Sequence, residues 1–514
     1  MYQYPTAEAR IAEELAAVRP GLLPRYTAEL PGARAAVLTR LWRAFAHEPL
    51  PWITGRVRGA HSLALRLADG RTLHGPLADP YATGDRVTAV RLDRDRHEDP
   101  ARLMTALAVP HAAALAAELA HSVASLALSR ADADHPKEWP ADDAPADGGS
   151  KDWEWEQRVV DGHPFHPNCR SRPGFSVADQ LAYGPEHRPV VELGTLAVPA
   201  ADCLVSGDWP DELRSGDRLL LPVHPWQAAH VLKRSCVPWR PAHPLLSLRT
   251  LALDDDGPHV KTALSARLTS SVRDISAYSV ESSAALTALA SDLVARTDGL
   301  LHITRTLGAA TAHSPDLAAL LRESPRVYAG PGERVLPVAA LPATGLADSP
   351  ARLAALTRLA LTVGLRLLDL GVALEAHGQN LLVVLAADGT PLRLVYRDLA
   401  DIRISPTRLL RHGITPPPLT GRLVTDDETA LRRKLFGSLV AGALAGTAGS
   451  GPALGAALAA ALPGLPRTPD LAALREGPVP AKALTLMRLS PKAHGDLWTA
   501  LPNPLVLEPG TGDQ

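Results

Sequence analysis

Cysteine is scarce in this sequence of 514 residues: Cys169, Cys203 and Cys236 are the only three, and none belongs to a C-x-x-C pair. This spacing argues against a disulfide framework and a cysteine-rich zinc site, and it fits a reducing, cytoplasmic compartment. An excess of charge is also missing, because Lys+Arg 53 and Asp+Glu 55 leave a net charge of -2. We therefore expect no nucleic-acid partner, since such binding needs a basic surface that neutralises phosphates.

Long uninterrupted apolar runs are missing as well. The first six residues show no basic segment leading into an apolar one, so we expect no secretion signal. The most apolar stretch runs from Phe436 to about Leu462 and is broken by Gly442, Gly449 and Pro452, among others. A spanning helix needs about 20 predominantly apolar residues. The stretch therefore predicts two packed helices, and no membrane partner is expected.

The chain is longer than one hydrophobic core usually serves, so we expect two or three domains. Residues from about 7 to 128 are mostly helical in period, with a β-like interruption at 62–73 around an Asp-Gly turn. The segment 131–151 is acidic and rich in Pro, Gly and Ala, which predicts an exposed loop at a domain seam. Short β-like runs follow from 155 to 335. A long helical pattern, a hairpin at 381–398 and further helices complete the chain, and the fold class is α+β multidomain.

Four islands of polar residues are candidates for chemistry, and the first lies at 162–175. It carries His163, His166, Arg170 and Arg172 on a segment whose prolines forbid a regular helix. Two histidines alone do not make a tetrahedral zinc site. Two histidines and two arginines on a rigid segment suit the binding of an anion. A loop whose histidines only cap neighbouring backbone explains the same residues equally well.

The second island predicts a basic hairpin between residues 245 and 273. An Asp-Asp-Asp-Gly-Pro turn separates its two strands, and alternation gives the return strand one polar face, formed by Lys261, Ser265, Arg267 and Thr269. Pairing brings Ser247 and Arg249 near Ser265 and Ala263, with Arg273 just beyond the strand. Only seven of the 53 basic residues are lysine, which adds interest to Lys261. Cations among hydroxyls suit a polyphosphate or a polycarboxylate; the alternative is a protected edge strand.

The third island, Glu375-Ala-His-Gly-Gln-Asn, precedes a predicted hairpin with an Asp388-Gly389 turn. A two-residue loop pairs Asn380 with Arg397, and it pairs Gln379 with Asp398. An Asn and an Asp then lie together, and their oxygens suit Mg²⁺ when phosphate supplies further ligands. Protein kinases place an Asn and a later Asp in this way. The alternative is a buried polar hairpin end whose side chains cap the backbone.

The fourth island, Val223-His-Pro-Trp-Gln, predicts a turn in which His224 and Trp226 pack structurally. In chain order, the islands Gly162-His-Pro-x-His-Pro, Val223-His-Pro-Trp-Gln, Lys261-Thr…Ser-Val-Arg and Glu375-Ala-His-x-Gln-Asn…Arg-Asp resemble one family. That family is the NRPS-independent siderophore (NIS) synthetases, the IucA/IucC-like or aerobactin-synthetase-like proteins. The resemblance extends over about residues 155–405. Arg170 departs from it, because the motif has lysine there, and a planar fork replaces a point donor.

The resemblance implies a cupped hand of three domains with ATP and substrate between the second and the third. These would be a mostly helical thumb at 1–150, a mixed αβ fingers domain with an antiparallel sheet at 151–345, and a kinase-like αβ and helical palm at 346–514. It implies activation of a carboxylate, often citrate, as an acyl-adenylate with loss of pyrophosphate. An amine or alcohol then captures the acyl group as an amide or ester. ATP and Mg²⁺ are the implied cofactors, and a homodimer is the implied assembly.

The resemblance also assigns roles to residues. The implied catalytic residues are His166, Lys261, Arg273 and His377. ATP would contact His163, Arg170, Arg172, Ser247, Arg249, Thr250, Lys261, Gln379 and Asn380. The carboxylate substrate would contact Thr269, Ser270, Arg273 and His377. Mg²⁺ would be held by Glu375, Asn380 and Asp398. The sequence offers no evident general base for the amine.

Two other functions are weighed against the ligase. A kinase-like small-molecule phosphotransferase, suggested by Asn380 and Asp398, would produce ADP instead of AMP and pyrophosphate. It would lack a Gly-rich phosphate loop, and the stretch from His377 to Asn380 holds no acid for a kinase catalytic loop. A non-catalytic carboxylate-binding protein would bind nucleotide without consuming it. The sequence leaves open which acid and which nucleophile are used.

Overall fold

Three hydrophobic cores hold most of the buried apolar side chains. The computed structural model describes residues 6–133, 151–254, 257–268, 271–493 and 495–506. One core is built mostly from residues 7–131, a second from 191–321 and a third mostly from 286–501. The acidic segment predicted as a loop at 131–151 lies almost entirely outside the described residues.

The N-terminal core joins four helices to a five-stranded antiparallel meander. Its elements are α1 (Ala7–Val18), α2 (Leu23–His47), β1 (Ile53–Arg58), β2 (Ser62–Leu67), β3 (Thr72–Pro76), β4 (Val90–Leu92), β5 (Asp95–His97), α3 (Pro100–Leu107) and α4 (Ala112–Asp132). The predicted Asp-Gly turn is confirmed, because β2 pairs with β3 and Gly70 takes a φ of 89°, which suits glycine. This region therefore holds more β-structure than its helical period indicated.

Within the described ranges, α4 is the one helix long and apolar enough to cross a membrane by length and composition. It packs along α2 in the N-terminal core, and 67% of its most apolar 18-residue window is buried inside the protein. Packing against other helices accounts for its apolar surface, as in the core helix of a folded domain.

The middle of the chain contributes a nine-stranded sheet. With the strands numbered in chain order, their spatial order across the sheet is β7-β16-β17-β12-β11-β10-β6-β9-β8. These elements are α5 (Asp152–Gln157), α6 (Val177–Tyr183), β6 (Val191–Pro199), β7 (Leu204–Gly207), β8 (Arg214–Ser215), β9 (Arg218–Val223), α7 (Pro225–Gln227), β10 (Val237–Pro244), β11 (Thr250–Leu253), β12 (His259–Thr262), β13 (Leu264–Leu268), β14 (Ser271–Arg273), α8 (Ala277–Glu281), α9 (Ser283–Val294), β15 (Leu301–Ile303), β16 (Thr306–Ser314), β17 (Leu317–Arg322) and β18 (Arg334–Pro337). Every neighbouring pair in the sheet is antiparallel, as predicted.

The basic hairpin predicted at 245–273 is correct in part. β11 and β12 pair antiparallel, but Thr250 lies opposite Lys261, which is one residue away from the predicted register. The predicted first strand also begins too early, because residues 245–249 form a turn in which Leu248 has a φ of 61°. Side chains in a turn do not alternate between two faces as they do in a strand, so Ser247 and Arg249 do not form the predicted strand face.

The predicted return strand is also interrupted. It breaks at Ala263, and β13 pairs with β14 in a separate two-stranded sheet. Ser265 consequently bonds Gln227 and Asp316, and Arg267 is exposed. The prediction that Ser265 and Arg267 share a cationic face with Lys261 is therefore wrong.

The C-terminal core surrounds a four-stranded sheet of order β15-β21-β20-β18, next to a bundle of helices. The remaining elements are α10 (Pro350–Leu370), β19 (Val372–Ala373), β20 (Leu381–Leu385), β21 (Pro391–Tyr396), β22 (Arg403–Ile404), α11 (Pro406–Arg411), α12 (Glu428–Ser438), α13 (Ala445–Ala448), α14 (Gly451–Ala461), α15 (Pro469–Glu476), β23 (Val479–Lys482), α16 (Leu484–Leu489) and β24 (Trp498–Leu501). The sheet draws strands from both sides of the domain boundary predicted at 345, so the packing divides the chain earlier than that boundary.

The hairpin of β20 and β21 has the predicted register at the end that faces the cleft. Leu381 lies opposite Tyr396, and the Arg397 amide donates to the Asn380 carbonyl at 3.0 Å. The predicted two-residue loop is wrong, however. Ala386 bonds Thr390 across a three-residue loop, and a bulge beside Leu385 restores the register.

Candidate active site

One cleft of about 1460 Å³ lies where the three cores meet, and every predicted site residue that the structure describes lines it. Those residues are His163, His166, Arg170, Arg172, Ser247, Arg249, Thr250, Lys261, Arg273, Glu375, His377, Gln379, Asn380 and Asp398. Thr269 and Ser270, the other predicted carboxylate contacts, lie outside the described residues. The structure brings the predicted residues together, and their individual roles stay predictions.

Asp398, immediately beyond β21, forms one ionic centre of the cleft with two cations from the middle core. Lys261 Nζ donates to its Oδ2 at 2.8 Å, and Arg322 Nη2 donates to its Oδ1 at 2.6 Å. We call these three residues the Asp398 cluster. Burial would raise the pKa of the Asp398 carboxyl, but Arg322 and Lys261 outweigh it and hold that pKa well below its usual range. The backbone of Asp398 has a φ of 117°, a strained conformation for a side chain other than glycine.

Two further arginines add positive charge beside the Asp398 cluster. Arg249 Nη1 donates to the carbonyls of Arg273 and Asp274, both at 2.7 Å, which ties the 245–250 turn to the end of β14. Burial and the charge of Arg273 lower the pKa of Arg249 to about 10. Among the described residues, Arg273 forms no ion pair, although the charges of Glu375 and Asp398 reach it. This side of the cleft therefore carries more cations than acids.

Each of the two histidines of the first island accepts hydrogen bonds from backbone amides at one ring nitrogen. His163 Nδ1 accepts from the amides of Phe165 and His166, and His166 Nδ1 accepts from the Asn168 amide. The capping role considered from the sequence is thus real. His166 Nε2 is buried and has no hydrogen-bond partner in the described chain. Burial, followed by the charge of His377, lowers the pKa of His163 to about 3.

Arg170 and Arg172 line the cleft but are engaged with a buried acid. Arg172 Nη1 lies 2.8 Å from Glu186 Oε1, and Arg170 Nη1 lies 3.3 Å from Glu186 Oε2. Arg170 also donates to the carbonyls of Val159 and Val160. Burial would raise the pKa of Glu186, yet the two arginines lower it well below its usual range. Their guanidinium groups are therefore less free for a phosphate than those of Arg249 and Arg273.

Glu375 forms a second ionic centre, made from the C-terminal core alone. Its Oε1 accepts from Lys434 Nζ at 3.2 Å and from Lys482 Nζ at 2.9 Å. Asp401 and Asp496 join it, since Lys434 lies 2.9 Å from Asp401 and Lys482 lies 3.2 Å from Asp496. We call these five residues the Glu375 cluster. Acids and lysines nearly balance there.

His377 lines the same cleft, close enough to both clusters for the charges of Lys482 and Asp398 to act on it. Its Nδ1 accepts from the Gln379 amide at 3.3 Å. Burial, then the positive charges of Lys482 and Arg273, lowers the pKa of His377 to about 3. The imidazole is therefore neutral at pH 7 and can donate from one nitrogen while it accepts at the other.

Sequence reasoning missed Arg322, Lys434 and Lys482, which all line the cleft. Three of the seven lysines of the chain, counting Lys261, reach this one cleft, so the rarity of lysine was a usable signal for Lys434 and Lys482. Arg322 carried no such signal. It reaches Asp398 because β17 pairs with β12, a pairing across 59 residues that alternation alone does not reveal.

Glu156, in α5, connects the two walls of the cleft and was also missed. Its carboxylate accepts hydrogen bonds from both Nη atoms of Arg397, at 2.6 and 3.0 Å. The same carboxylate accepts from the Leu246 amide at 2.9 Å. It therefore fixes the turn that carries Arg249 against the residue that precedes Asp398.

The residues predicted to hold Mg²⁺ offer oxygen donors without forming a complete site. Asp398 and Glu375 are carboxylates held by cations, and the Asn380 amide side chain makes no hydrogen bond to the described chain. No three His, Cys, Asp or Glu side chains in the described ranges lie close enough to bind a metal by themselves. This donor set fits a hard cation such as Mg²⁺ when phosphate oxygens complete the coordination.

Two families match successive parts of the chain. Residues 152–343 match the IucA / IucC family. Residues 353–451 match the family described as ferric iron reductase FhuF-like transporter. A similar protein is the citryl-spermidine/3,4-dihydroxybenzoyl-citryl-spermidine:spermidine ligase of Bacillus anthracis, which is 26% identical over 313 residues, or 48% of this chain and 51% of that protein. The chain spans about half the length of the curated relatives that it matches.

Solved structures share the fold across nearly the whole chain. The petrobactin biosynthesis protein AsbB of Bacillus anthracis superposes with a TM-score of 0.76 at 18% identity and covers 98% of each chain. ATP-bound aerobactin synthetase IucA of Klebsiella pneumoniae superposes with a TM-score of 0.70 at 20% identity, over 93% of this chain and 100% of that one. The predicted mixed α+β multidomain fold is confirmed. Residues 152–343 match the IucA/IucC family, and the resemblance to siderophore synthetases predicted from the four islands is confirmed.

Proposed function

We propose that this protein is an ATP- and Mg²⁺-dependent synthetase that adenylates a carboxylate and joins it to an amine or alcohol. The observation that carries the proposal is that four cations, Lys261, Arg322, Arg249 and Arg273, line one large cleft, where the first two contact Asp398 directly. A surplus of buried positive charge suits a polyphosphate, which brings its own negative charge. The siderophore synthetases among the relatives point to the same class of reaction.

In the first step a carboxylate oxygen attacks the α-phosphorus of ATP, and the bond to the bridging oxygen of pyrophosphate breaks. The products are an acyl-adenylate and pyrophosphate. Two anions approach each other, and negative charge grows on the phosphoryl oxygens, so fixed cations lower the barrier. We assign Lys261 and Arg249 to the phosphates and Arg273 to the meeting point of carboxylate and α-phosphate. We assign to His377, whose imidazole is neutral because of burial, a hydrogen bond to the reacting groups.

Glu375, Asn380 and Asp398 are the residues that would hold Mg²⁺ together with the phosphates. When bound, the ion neutralises phosphate charge and acts as a Lewis acid. Until the ion and nucleotide bind, Lys261 and Arg322 neutralise Asp398. The cations therefore keep this carboxylate ionised and oriented.

In the second step the nucleophile attacks the acyl carbon, the bond to AMP breaks, and the nucleophile loses a proton. One relative is named as a ligase of citryl-spermidine with spermidine and another as a D-ornithine–citrate ligase, which suggests a polycarboxylate or its monoamide and an amine as the substrate pair. We assign no general base to this step. The cupped hand with its thumb, fingers and palm, the kinase-like C-terminal lobe and the homodimer belong to the same proposal.

The test is product analysis with a panel of carboxylates and hydroxylamine as a general nucleophile. The proposal predicts AMP and pyrophosphate, formed only when a carboxylate is present. ADP as the product would support the phosphotransferase instead. Binding of ATP and carboxylate with no nucleotide consumed would support a binding protein.

A further inference from the structure

The cleft extends beyond the first island to α2 of the N-terminal core, where no site residue was predicted. Two buried arginines of α2, Arg40 and Arg43, lie on its wall. Arg43 is engaged, because its Nε donates to the Pro80 carbonyl at 2.5 Å and its guanidinium lies over the Phe165 ring. Arg40 is only 4% exposed, and its guanidinium makes fewer hydrogen bonds than it has N–H donors.

Arg40 is attached to the first island by one side of its guanidinium. Its Nε donates to the Pro164 carbonyl at 3.0 Å, and its Nη2 makes a long contact of 3.5 Å with the Asp161 carbonyl. The nearest acid oxygen is Asp161 Oδ2 at 4.0 Å, and Asp161 is bonded more closely to Arg130. Arg40 Nη1 is buried and has no hydrogen-bond partner in the described chain.

A second orphan donor lies two residues from this attachment point. His166 Nδ1 accepts from the Asn168 amide at 3.0 Å, so the proton of the neutral ring is on Nε2. That Nε2 is buried without a partner as well. Arg40 is close enough for its charge to act on the His166 ring. Two buried donors without acceptors are costly, and a native site rarely keeps them unless a ligand supplies the acceptor.

We propose that Arg40 Nη1 and His166 Nε2 bind a carboxylate group of the substrate, so that the N-terminal core completes the acid-binding site. The inference rests on the proposed function and narrows its substrate to an acid with at least two carboxylates: one reacts beside Arg273, and another is held by Arg40. A guanidinium and a neutral imidazole supply one positive charge, which matches one carboxylate. The triphosphate has its own cations in and beside the Asp398 cluster. This assignment takes His166 away from the reacting phosphate, where the resemblance places it.

Steady-state pyrophosphate release with citrate, a tricarboxylate probe, tests the inference in Arg40→Gln. Loss of one charge-assisted bond predicts a KM for citrate raised about 10- to 100-fold, while the KM for ATP stays within about twofold. Arg40→Lys should recover part of the loss. Arg34→Gln is the matched control on the same helix, because Arg34 is paired with Glu8 and does not line the cleft; it should leave both constants unchanged. An unchanged citrate KM in Arg40→Gln, or a raised ATP KM alone, overturns the inference.

Calorimetric titration of citrate without ATP separates this inference from the proposed function. Citrate should bind the wild type and Arg34→Gln alike and should bind Arg40→Gln at least tenfold more weakly, whether or not turnover occurs. Equal binding to wild type and Arg40→Gln overturns the inference even when the wild type makes AMP and pyrophosphate. If the wild type binds citrate through Arg40 but consumes no ATP, the proposed reaction fails and the carboxylate site stands. If Arg40→Gln does not fold, Arg40→Lys carries the same comparison.

Discussion

The Asp398 cluster and the Glu375 cluster place one carboxylate between two cations in the same cleft, yet they are built differently. The acid of the Asp398 cluster comes from the C-terminal core, and its cations come from β12 and β17 of the middle sheet. The Glu375 cluster takes its acids and lysines from the C-terminal core alone. Beside the first cluster lie Arg249 and Arg273, which form no ion pair within the described part of the chain, whereas Asp401 and Asp496 balance the lysines of the second.

The difference separates anion binding by the Asp398 cluster from a supporting role of the two lysines of the Glu375 cluster, which hold the proposed Mg²⁺ ligand Glu375. A cluster with surplus cations lowers its free energy by taking up an anion, and the Asp398 cluster already links residues of two cores. A balanced cluster gains less from an anion, and its buried charges mainly hold their own elements in place. We therefore expect substitutions in and beside the Asp398 cluster to change activity, and substitutions of the Glu375 cluster lysines to change stability first.

The largest effect is expected at Arg273. The charges of Glu375 and Asp398 act on its guanidinium, but it forms an ion pair with neither in the described chain. Arg273→Ala removes the cation assigned to the reacting groups, and we expect pyrophosphate release to fall at least 1000-fold, the upper end for loss of one fixed donor. The unfolding midpoint in urea should stay near the wild-type value, because no ion pair is lost. Activity close to wild type with citrate or any accepted acid would remove Arg273 from the mechanism.

A matched pair of lysine substitutions tests the comparison itself. Lys261→Met should lower pyrophosphate release about 100-fold, because a phosphate contact is lost. Lys434→Met should lower the free energy of unfolding by about 3 kcal/mol, because Lys434 is 2% exposed and leaves Glu375 and Asp401 short of a partner. Its activity loss should remain under tenfold. The reverse pattern, with Lys434→Met inactive at wild-type stability, would contradict the division between the clusters.

Glu156 offers a smaller and more specific effect, since it fixes the Arg249 turn against Arg397. Glu156→Gln keeps the shape of the side chain but weakens its hydrogen bonds to Arg397 and to the Leu246 amide. We therefore expect the KM for ATP to rise about tenfold, in line with the loss of one hydrogen bond to a charged group. The KM for the carboxylate should change much less. Glu192→Gln is a control at an exposed glutamate of β6 away from the cleft. Equal changes in both KM values would mean that Glu156 only supports the fold.

Mild acid tests the charge states assigned to the buried groups. Arg322 and Lys261 keep the pKa of Asp398 low, and Lys434 outweighs burial to lower the pKa of Asp401, so both carboxylates stay ionised in mild acid.

Burial lowers the pKa of His163 and of His224 to about 3, while the unfolded histidines titrate near 6.5. The unfolded state then binds more protons, so stability falls as pH drops below about 6.5, by about 1.4 kcal/mol per pH unit for each histidine. Urea unfolding at pH 7, 6 and 5 measures this, and His224→Gln should reduce the slope. An unfolding free energy that is constant from pH 7 to 5 would contradict the neutral assignment.

The two hairpins show how far local sequence determines this site. In the hairpin of β20 and β21, strong alternation and an Asp-Gly turn fix the register near Asn380, even though the loop is one residue longer than predicted. In the basic hairpin β11 and β12 pair on either side of the predicted turn, but Leu248 adopts a left-handed conformation and the return strand breaks at Ala263. Local propensity does not encode that break, which follows from tertiary packing of β13 and β14 as a separate sheet.

The missed residues share a different cause. Arg322 reaches the cleft, and Glu156 bonds residues of two of its walls, through contacts between distant segments that no local pattern marks. Lys434 and Lys482 were marked only by the rarity of lysine. The motifs predicted which residues gather in the cleft. The partners that hold those residues in place, and Arg40 on the helix of another core, required the structure.

The central claim is that the cleft brings an acid oxygen to the α-phosphorus of ATP. The most direct measurement is exchange of ³²P-labelled pyrophosphate into ATP, with and without citrate and with no nucleophile present. We predict exchange that depends on citrate and is lost in Arg273→Ala. Exchange that is absent with every carboxylate of the panel, or consumption of ATP to ADP, would contradict the account.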